Sequence, residues 1–255
     1  MSEEDPGDSE PEGLVEPADE EPSEVTPGGS RVYHYGSRTV PEHEAHGDAE
    51  HIDRISAHIE QHLGKVDLVF HELVSDLVHI DVHLVRASDE RPFHTLVTSG
   101  MSEVPMHGRG PEGAFKAWAE LCVSLPSEWP LEQEAFRDEA VFWPLRWLKR
   151  LARFPHEYDT WLGWGHTLPN GDPPEPLGPG TDFVGWLVLP PLDAPAEFLS
   201  LDIGHGRQVD FFAIYPLYAE EMELKLERGT DALLDLFAQH DVSDVIQVGR
   251  PNVAR

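Results

Sequence analysis

His79, Asp81 and His83 alternate through the apolar run LVHIDVHLV (Leu77–Val85), so an extended chain places all three on one face. Two imidazoles and a carboxylate at that spacing could hold a metal or work as an acid–base pair, and a metal-dependent or acid–base hydrolase would recruit His166 as a fourth group. The run has no zinc-protease spacing and brings no identified further ligand, so it also reads as the polar face of a half-exposed strand. His58 and His62 stand four apart, but Ile59 occupies the place where H-E-x-x-H requires Glu. With His51 they read as the wet face of an amphipathic helix. Gly108-Arg109-Gly110 and Gly204-His205-Gly206 lack the full phosphate-cradle pattern, no G-x-S-x-G elbow occurs, and Cys122 sits in a strand pattern without an activating base. No catalytic residue, metal ligand or cofactor is therefore assigned, and the hydrolase built on His79, Asp81, His83 and His166 stands as the alternative.

Binding chemistry is denser. Arg146, Lys149, Arg150 and Arg153 fall at i, i+3, i+4 and i+7, a basic stripe on a helix whose other face carries Trp147, Leu148 and Leu151. The stripe reads either as a solvated face paired with nearby carboxylates or as a contact for an acidic partner, the chain's own acidic N-terminus included. Beyond it runs ARFPHEYDTWLGWGHTLPNGDPPEP (Ala152–Pro176), with two Trp, a Tyr, two His and a Pro-Asn-Gly turn. Large aromatics with a polar edge are favoured as interface anchors, and prolines with an Asn-Gly turn lower the ordering cost of binding. Tyr158, Asp159, Trp164, His166, Asn170 and Asp172, with Arg146, Lys149 and Arg150 nearby, are the expected partner-binding residues. Trp161 reads equally well as core, and exposure is expected at His166, Asn170 and Asp172.

These residues must be positioned by a core. Ile52, Ile55, Ile59 and Leu63 predict a helix from about Asp48 that stops at Gly64. Val78, Ile80, Val82 and Leu84 predict a half-buried strand over Leu77–Val85, returning as Phe93–Thr98. Further strands are expected at Phe115–Leu125, Phe183–Leu189, Phe198–Ile203 and Val209–Tyr215. Helices are expected at Ala140–Phe154, with Pro144 tolerable in the first turn, at Tyr218–Arg228, and at Asp231–His240 with Thr230 as N-cap. Hairpins outnumber helical crossovers, which predicts an α+β fold: a single domain over residues 48–255 with a mostly antiparallel mixed sheet packed by helices.

Of the 255 residues, 48 are acidic and 18 basic, a formal charge of −30. Residues 1–30 hold 11 acidic side chains and no Lys or Arg, leaving −19 on residues 31–255. Residues 1–47 therefore read as a disordered acidic tail and linker, having little to bury against the entropy of ordering. So acidic a surface repels phosphate backbones and anionic lipid, which argues against nucleic-acid and membrane partners and favours a basic protein partner. One cysteine, no secretory leader and no long apolar run make a cytoplasmic protein the expectation. Oligomeric state is not legible.

Ala152–Pro176 resembles the signature of bacterial suppressor-of-fused-like domains. DLVHIDVHLV (Asp76–Val85), RPFHTLVTSGMSEVPM (Arg91–Met106), PLYAEEMELKLERGTDALLDLF (Pro216–Phe237) and RPNVA (Arg250–Ala254) resemble further blocks of that family in the same order. The resemblance spans roughly Val66 to Arg255. It implies a compact α/β domain without an established catalytic activity that binds a protein: the animal relative holds a transcription factor inactive, and bacterial relatives serve in part as immunity proteins that neutralise toxins. It thus implies either an immunity protein that neutralises a toxin, which the net charge would make a basic one, or a regulator that sequesters a protein partner. One departure stands out. The animal relative has an acidic residue beside the histidine of the segment matching Trp164-Gly165-His166, where this chain has Gly165, so the animal ligand motif is not carried over.

Overall fold

In a computed structural model the chain is described over residues 22–36, 47–72, 77–108 and 115–255. Helix α1 (Ala49–His62) starts where Asp48 accepts hydrogen bonds from the backbone N–H groups of Glu50 and His51, and it buries Ile55 and Ile59 at the expected spacing. Strand β3 (Val66–Phe70) follows, then β4 (Asp81–Val85), β5 (Phe93–Ser99) and β6 (Trp118–Pro126). Helix α2 (Glu139–Glu157) is followed by β7 (Thr167–Pro169), β8 (Gly185–Leu189), β9 (Ser200–Asp202) and β10 (Gln208–Leu217). Helices α3 (Ala219–Arg228) and α4 (Thr230–Gln239) close the α+β fold.

The main sheet has the order β3-β4-β5-β6-β10-β8-β7, with β9 beside β10. All pairings are antiparallel except β6 with β10, which gives the expected mostly antiparallel mixed sheet. Two apolar layers lie on its two faces. One gathers Val82, Leu84, Leu96, Leu121, Trp186 and Ile214 with Trp143, Trp147 and Leu148 of α2. The other gathers Val97, Cys122, Leu187, Phe211 and Tyr215 with Ile55 of α1, Met222 of α3 and Leu233 and Phe237 of α4.

Burial on both faces corrects the half-exposed reading of Leu77–Val85. The strand is shorter, Asp81–Val85, and all five residues are buried. The four aliphatics do share the α2-facing layer, as the alternation predicts, but Asp81 and His83 of the polar face are buried too, with His79 bonded to Asp81 and His83 to Ser99 while His83 Nδ1 is left without a partner among the described residues. Pro144 lies in the second turn of α2, not the first, so the Ala140 carbonyl loses its helical donor there. Phe198 belongs to a short 3-10 turn (Ala196–Leu199) ahead of β9, and Gly229 takes the N-cap place expected of Thr230.

Residues 22–36 fall within the stretch expected to be unstructured. They form a hairpin of β1 (Glu24–Val25) and β2 (Arg31–Val32) followed by an extended run whose Tyr35 packs against Phe154 and Tyr158. The rest of the expected tail and linker, residues 1–21 and 37–46, lies outside the described residues.

Candidate functional site

Helix α2 ends at Glu157, with the Tyr158 N–H donating to the Phe154 carbonyl. Asp159 is exposed and adopts φ 50°, and the Thr160 N–H turns back to the Pro155 carbonyl at 2.8 Å. This reversal drives the next residues inward, so that Trp161 is only 9% exposed and joins the core. Phe115 and His166 meet its ring edge-on at centroid distances of 5.6 and 4.2 Å, and the bare backbone of Gly108 lies against it: a Cβ there would stand 2.1 Å from Trp161 Cδ1. The core reading of Trp161 is the one the structure bears out.

Trp164 turns the other way. It is 47% exposed between buried Gly163 and Gly165, whereas each of the other six tryptophans is buried or half-buried. The loop beneath it is held by backbone: Gly165 N–H donates to the Val188 carbonyl (2.8 Å), His166 N–H to Gly163 (3.1 Å), and Val188 N–H to His166 (2.9 Å). Gly165 has φ 77°, and a Cβ on it would lie 3.2 Å from Thr230 Oγ1 at the start of α4. The departure noted in the sequence therefore has a local cause: the position favours glycine by conformation and faces a side chain.

His166, expected to be exposed, is largely covered. Burial, reinforced by the nearby charge of Lys225, lowers its pKa to about 4, so it is neutral at physiological pH. Lys225 of α3 is itself 4% exposed, its Nζ 3.3 Å from Thr167 Oγ1, and burial lowers its pKa to about 8. β7 then pairs Thr167 with Leu187 and Leu168 with Trp186 at the sheet edge. Asn170, also expected to be exposed, is half-buried and ties the next loop: its Nδ2 donates to the carbonyls of Glu175 (3.1 Å) and Pro176 (2.8 Å), and its own carbonyl accepts from Glu175 N–H. Asp172 is exposed on that loop. The six residues thus follow one another from the end of α2 along edge strand β7: Trp164 and Asp172 are exposed, Asp159 is exposed and paired with His107, Tyr158 is half-buried against Tyr35 and Phe154, and His166 and Asn170 are engaged in holding the chain.

The basic stripe is largely engaged with the protein itself. Arg146 donates to Glu139 (2.6 Å) and to the Leu177 carbonyl (3.0 Å), which also accepts from Trp147 Nε1 (2.8 Å), so it fastens the far end of the aromatic loop to α2. Lys149 donates to the Phe70 carbonyl, and its burial lowers its pKa. Arg153 pairs with Glu72. Arg150 is exposed, its guanidinium stacked 4.7 Å from the Trp147 ring centroid.

The His79–Asp81–His83 group does not converge with His166. Asp81, 2% exposed, is met by His71 Nδ1 (2.8 Å), His79 Nε2 (3.0 Å) and the Glu72 N–H (3.0 Å). His83 bonds Ser99 Oγ at 2.9 Å, and burial lowers its pKa to about 4. His166 lies beyond the opposite end of the sheet, five strand places from β4, roughly 24 Å at about 4.8 Å per strand. Among the described residues no three His, Cys, Asp or Glu side chains come together as metal ligands, and no helix is long and apolar enough to cross a membrane.

Sequence reasoning missed Lys225, Tyr35 and the pair Glu221–Arg250. Lys225 had a signal, because it shares the buried stripe of α3 with Glu221 and Met222. Tyr35 had none beyond being an aromatic in a polar stretch.

Residues 76–251 match the model of the family described as Suppressor of fused protein (SUFU). No curated protein matches the chain. Among solved structures, a suppressor of fused homolog from Neisseria gonorrhoeae superposes with a TM-score of 0.61 at 16% identity, covering 81% of this chain and 98% of that one. The Sufu–Fu complex gives a TM-score of 0.55 at 16% identity, covering 80% and 92%. At this identity the likeness is one of fold.

Proposed function

Because the chain belongs to the suppressor of fused family, we propose that it is a non-catalytic, cytoplasmic protein-binding domain whose contact surface is centred on Trp164. The carrying observation is the 47% exposure of that indole on a loop whose backbone is already tied to β8. A large aromatic presented without further ordering is what an interface anchor requires. Tyr158, Asp159 and Asp172 of the same segment would supply polar contacts, and Arg150 is the exposed member of the basic stripe. The Sufu–Fu complex, in which a relative of like fold is assembled with another component, supports a partner protein over a small molecule. The charge of −19 over residues 31–255 favours a basic partner. A basic toxin neutralised by this chain suits that charge, and sequestration of a regulatory protein uses the same surface.

The test is capture from the native host on immobilised full-length chain, identification by mass spectrometry, and titration of the purified partner against wild type and Trp164→Ala. Removing a central anchor costs on the order of 2 kcal/mol, roughly 30-fold in Kd. A partner that binds wild type and Trp164→Ala with equal affinity overturns the assignment.

A further inference from the structure

The hairpin and extended run of residues 22–36 make two separate attachments to the body of the protein. At the first, the Gly28 N–H donates to the Leu226 carbonyl at 2.8 Å, supplying one of the donors that the last turn of α3 lacks. The approach is so close that a Cβ on Gly28 would lie 2.4 Å from the Gly229 nitrogen, 2.7 Å from the Leu226 oxygen and 2.8 Å from the Lys225 oxygen. At the second, Tyr35 shares a 2.9 Å hydrogen bond with Thr160 Oγ1 and sets its ring against Phe154 (5.2 Å, perpendicular) and Tyr158 (5.5 Å). Gly28 and Tyr35 are seven positions apart in the sequence, about 23 Å of extended chain. The strap therefore reaches from the α3–α4 joint, whose Thr230 faces Gly165 and whose Lys225 meets Thr167, to the Tyr158–Thr160 reversal.

The strap is bound to the fold without being part of its core. Neither apolar layer includes a residue from 22–36, and the two-residue strands β1 and β2 pair only with each other. A two-stranded hairpin is marginal by itself, so its order depends on what it rests against.

We infer that the α3–α4 joint and the Tyr158–Thr160 reversal form a docking surface for a short glycine-turn hairpin followed by tyrosine, occupied here by the chain's own residues 22–36 as a displaceable intramolecular ligand. This rests on the binding role assigned to the neighbouring Trp164 surface, and it adds that Tyr158 is already engaged before any partner arrives. A partner that uses Tyr158 must displace Tyr35 first.

The probe is a fluorescent synthetic peptide of residues 22–36, titrated by anisotropy against full-length wild type, Gly28→Val/Tyr35→Ala, and Tyr35→Ala alone. The double variant frees the surface without deleting any core side chain, and hydrogen exchange at residues 22–36 reports the release. A tethered segment competes at an effective concentration on the order of mM, so a peptide with a Kd of about 0.1 mM should bind wild type roughly tenfold more weakly than the double variant. The single variant should fall between, and a peptide carrying Tyr35→Ala should bind the double variant less well. Equal binding to wild type and double variant overturns the inference. So does a released strap with no peptide binding, or a strap that stays protected in both variants. Failure here leaves the Trp164 titration untouched, and loss of the Trp164 role leaves peptide binding intact.

Discussion

Arg250 is the side chain whose removal the structure predicts to be most costly for its size. It meets Glu221 through both forks, Nη1 to Oε1 and Nη2 to Oε2 at 2.6 Å each, with side-chain exposures of 7% and 0%. Glu221 also accepts the Tyr218 and Val253 N–H groups, and Arg250 donates to the Pro216 and Pro251 carbonyls. The guanidinium lies 5.1 to 5.3 Å from the ring centroids of Tyr218, Phe183 and Phe237. One pair thus joins β10, α3, α4 and the C-terminal segment. In Arg250→Ala the carboxylate of Glu221 stays buried with only backbone donors, and stranding one member of a buried pair costs about 3–5 kcal/mol. For a chain of this size that is a fall in Tm of roughly 6–20 °C. Urea unfolding and a thermal melt measure it directly. The cost lies mainly in the stranded charge, so Arg250→Ala/Glu221→Gln should be less destabilised than the two single variants summed, by about 1–3 kcal/mol in a double-mutant cycle. A loss under about 1 kcal/mol in Arg250→Ala, or strict additivity in the cycle, would refute the reasoning.

The remaining predictions concern the site and its surroundings. His83, His156 and His166 are each held neutral by burial, with pKa lowered from 6.5 to about 4. The unfolded chain takes up these protons first on acidification, so their contribution is complete above about pH 6.5 and is lost as the pH falls towards 4, with about 1–2 kcal/mol each gone by pH 5. Urea titrations at pH 7.5 and 5 should show that drop and a shallower one in His83→Gln, and unchanged stability across the interval would contradict it. Gly165→Asp forces a side chain into φ 77° against Thr230 and should lose about 1–3 kcal/mol in a thermal melt, with Thr230→Ala recovering part. Asn170→Ala removes the two side-chain bonds that help close the 170–176 loop and should cost about 1–2 kcal/mol, with faster hydrogen exchange confined to that loop.

Much of the fold was legible because burial imposes its period on the sequence. Ile55 and Ile59 mark α1, and alternation places Val82 and Leu84 in one apolar layer and Val85 in the other. β3 escaped notice because an edge strand with two exposed residues in five shows no clean period. The tail reading failed at residues 22–36 for another reason: their order comes from Gly28 on α3 and Tyr35 on Thr160, contacts separated by about 200 and 125 positions that composition does not encode. The same long reach explains the basic stripe. Spacing places Arg146, Lys149, Arg150 and Arg153 on one helix, but the Phe70 carbonyl, Glu72 and the Leu177 carbonyl that engage three of them come from elsewhere in the chain.

Within Arg153–Pro176 the composition correctly drew attention, yet it could not tell anchors from supports. That division is made by backbone geometry. The reversal at Asp159 sends Trp161 inward, and the bonds around Gly165 leave Trp164 outward. Two residues in the same window with the same chemistry therefore have opposite environments, one a core ring packed on Gly108 and the other an exposed indole. His166 and Asn170 fall on the supporting side, with Arg146 fastening the loop from below, so much of the segment's polar chemistry goes into keeping it rigid. A loop stiffened in this way has little freedom left to lose on binding, and that makes a single exposed indole sufficient as an anchor. On the proposed reading recognition would be carried by few side chains, Trp164 first, with the exposed carboxylates of Asp159 and Asp172 on the same segment and a Tyr158 already packed against the chain's own Tyr35.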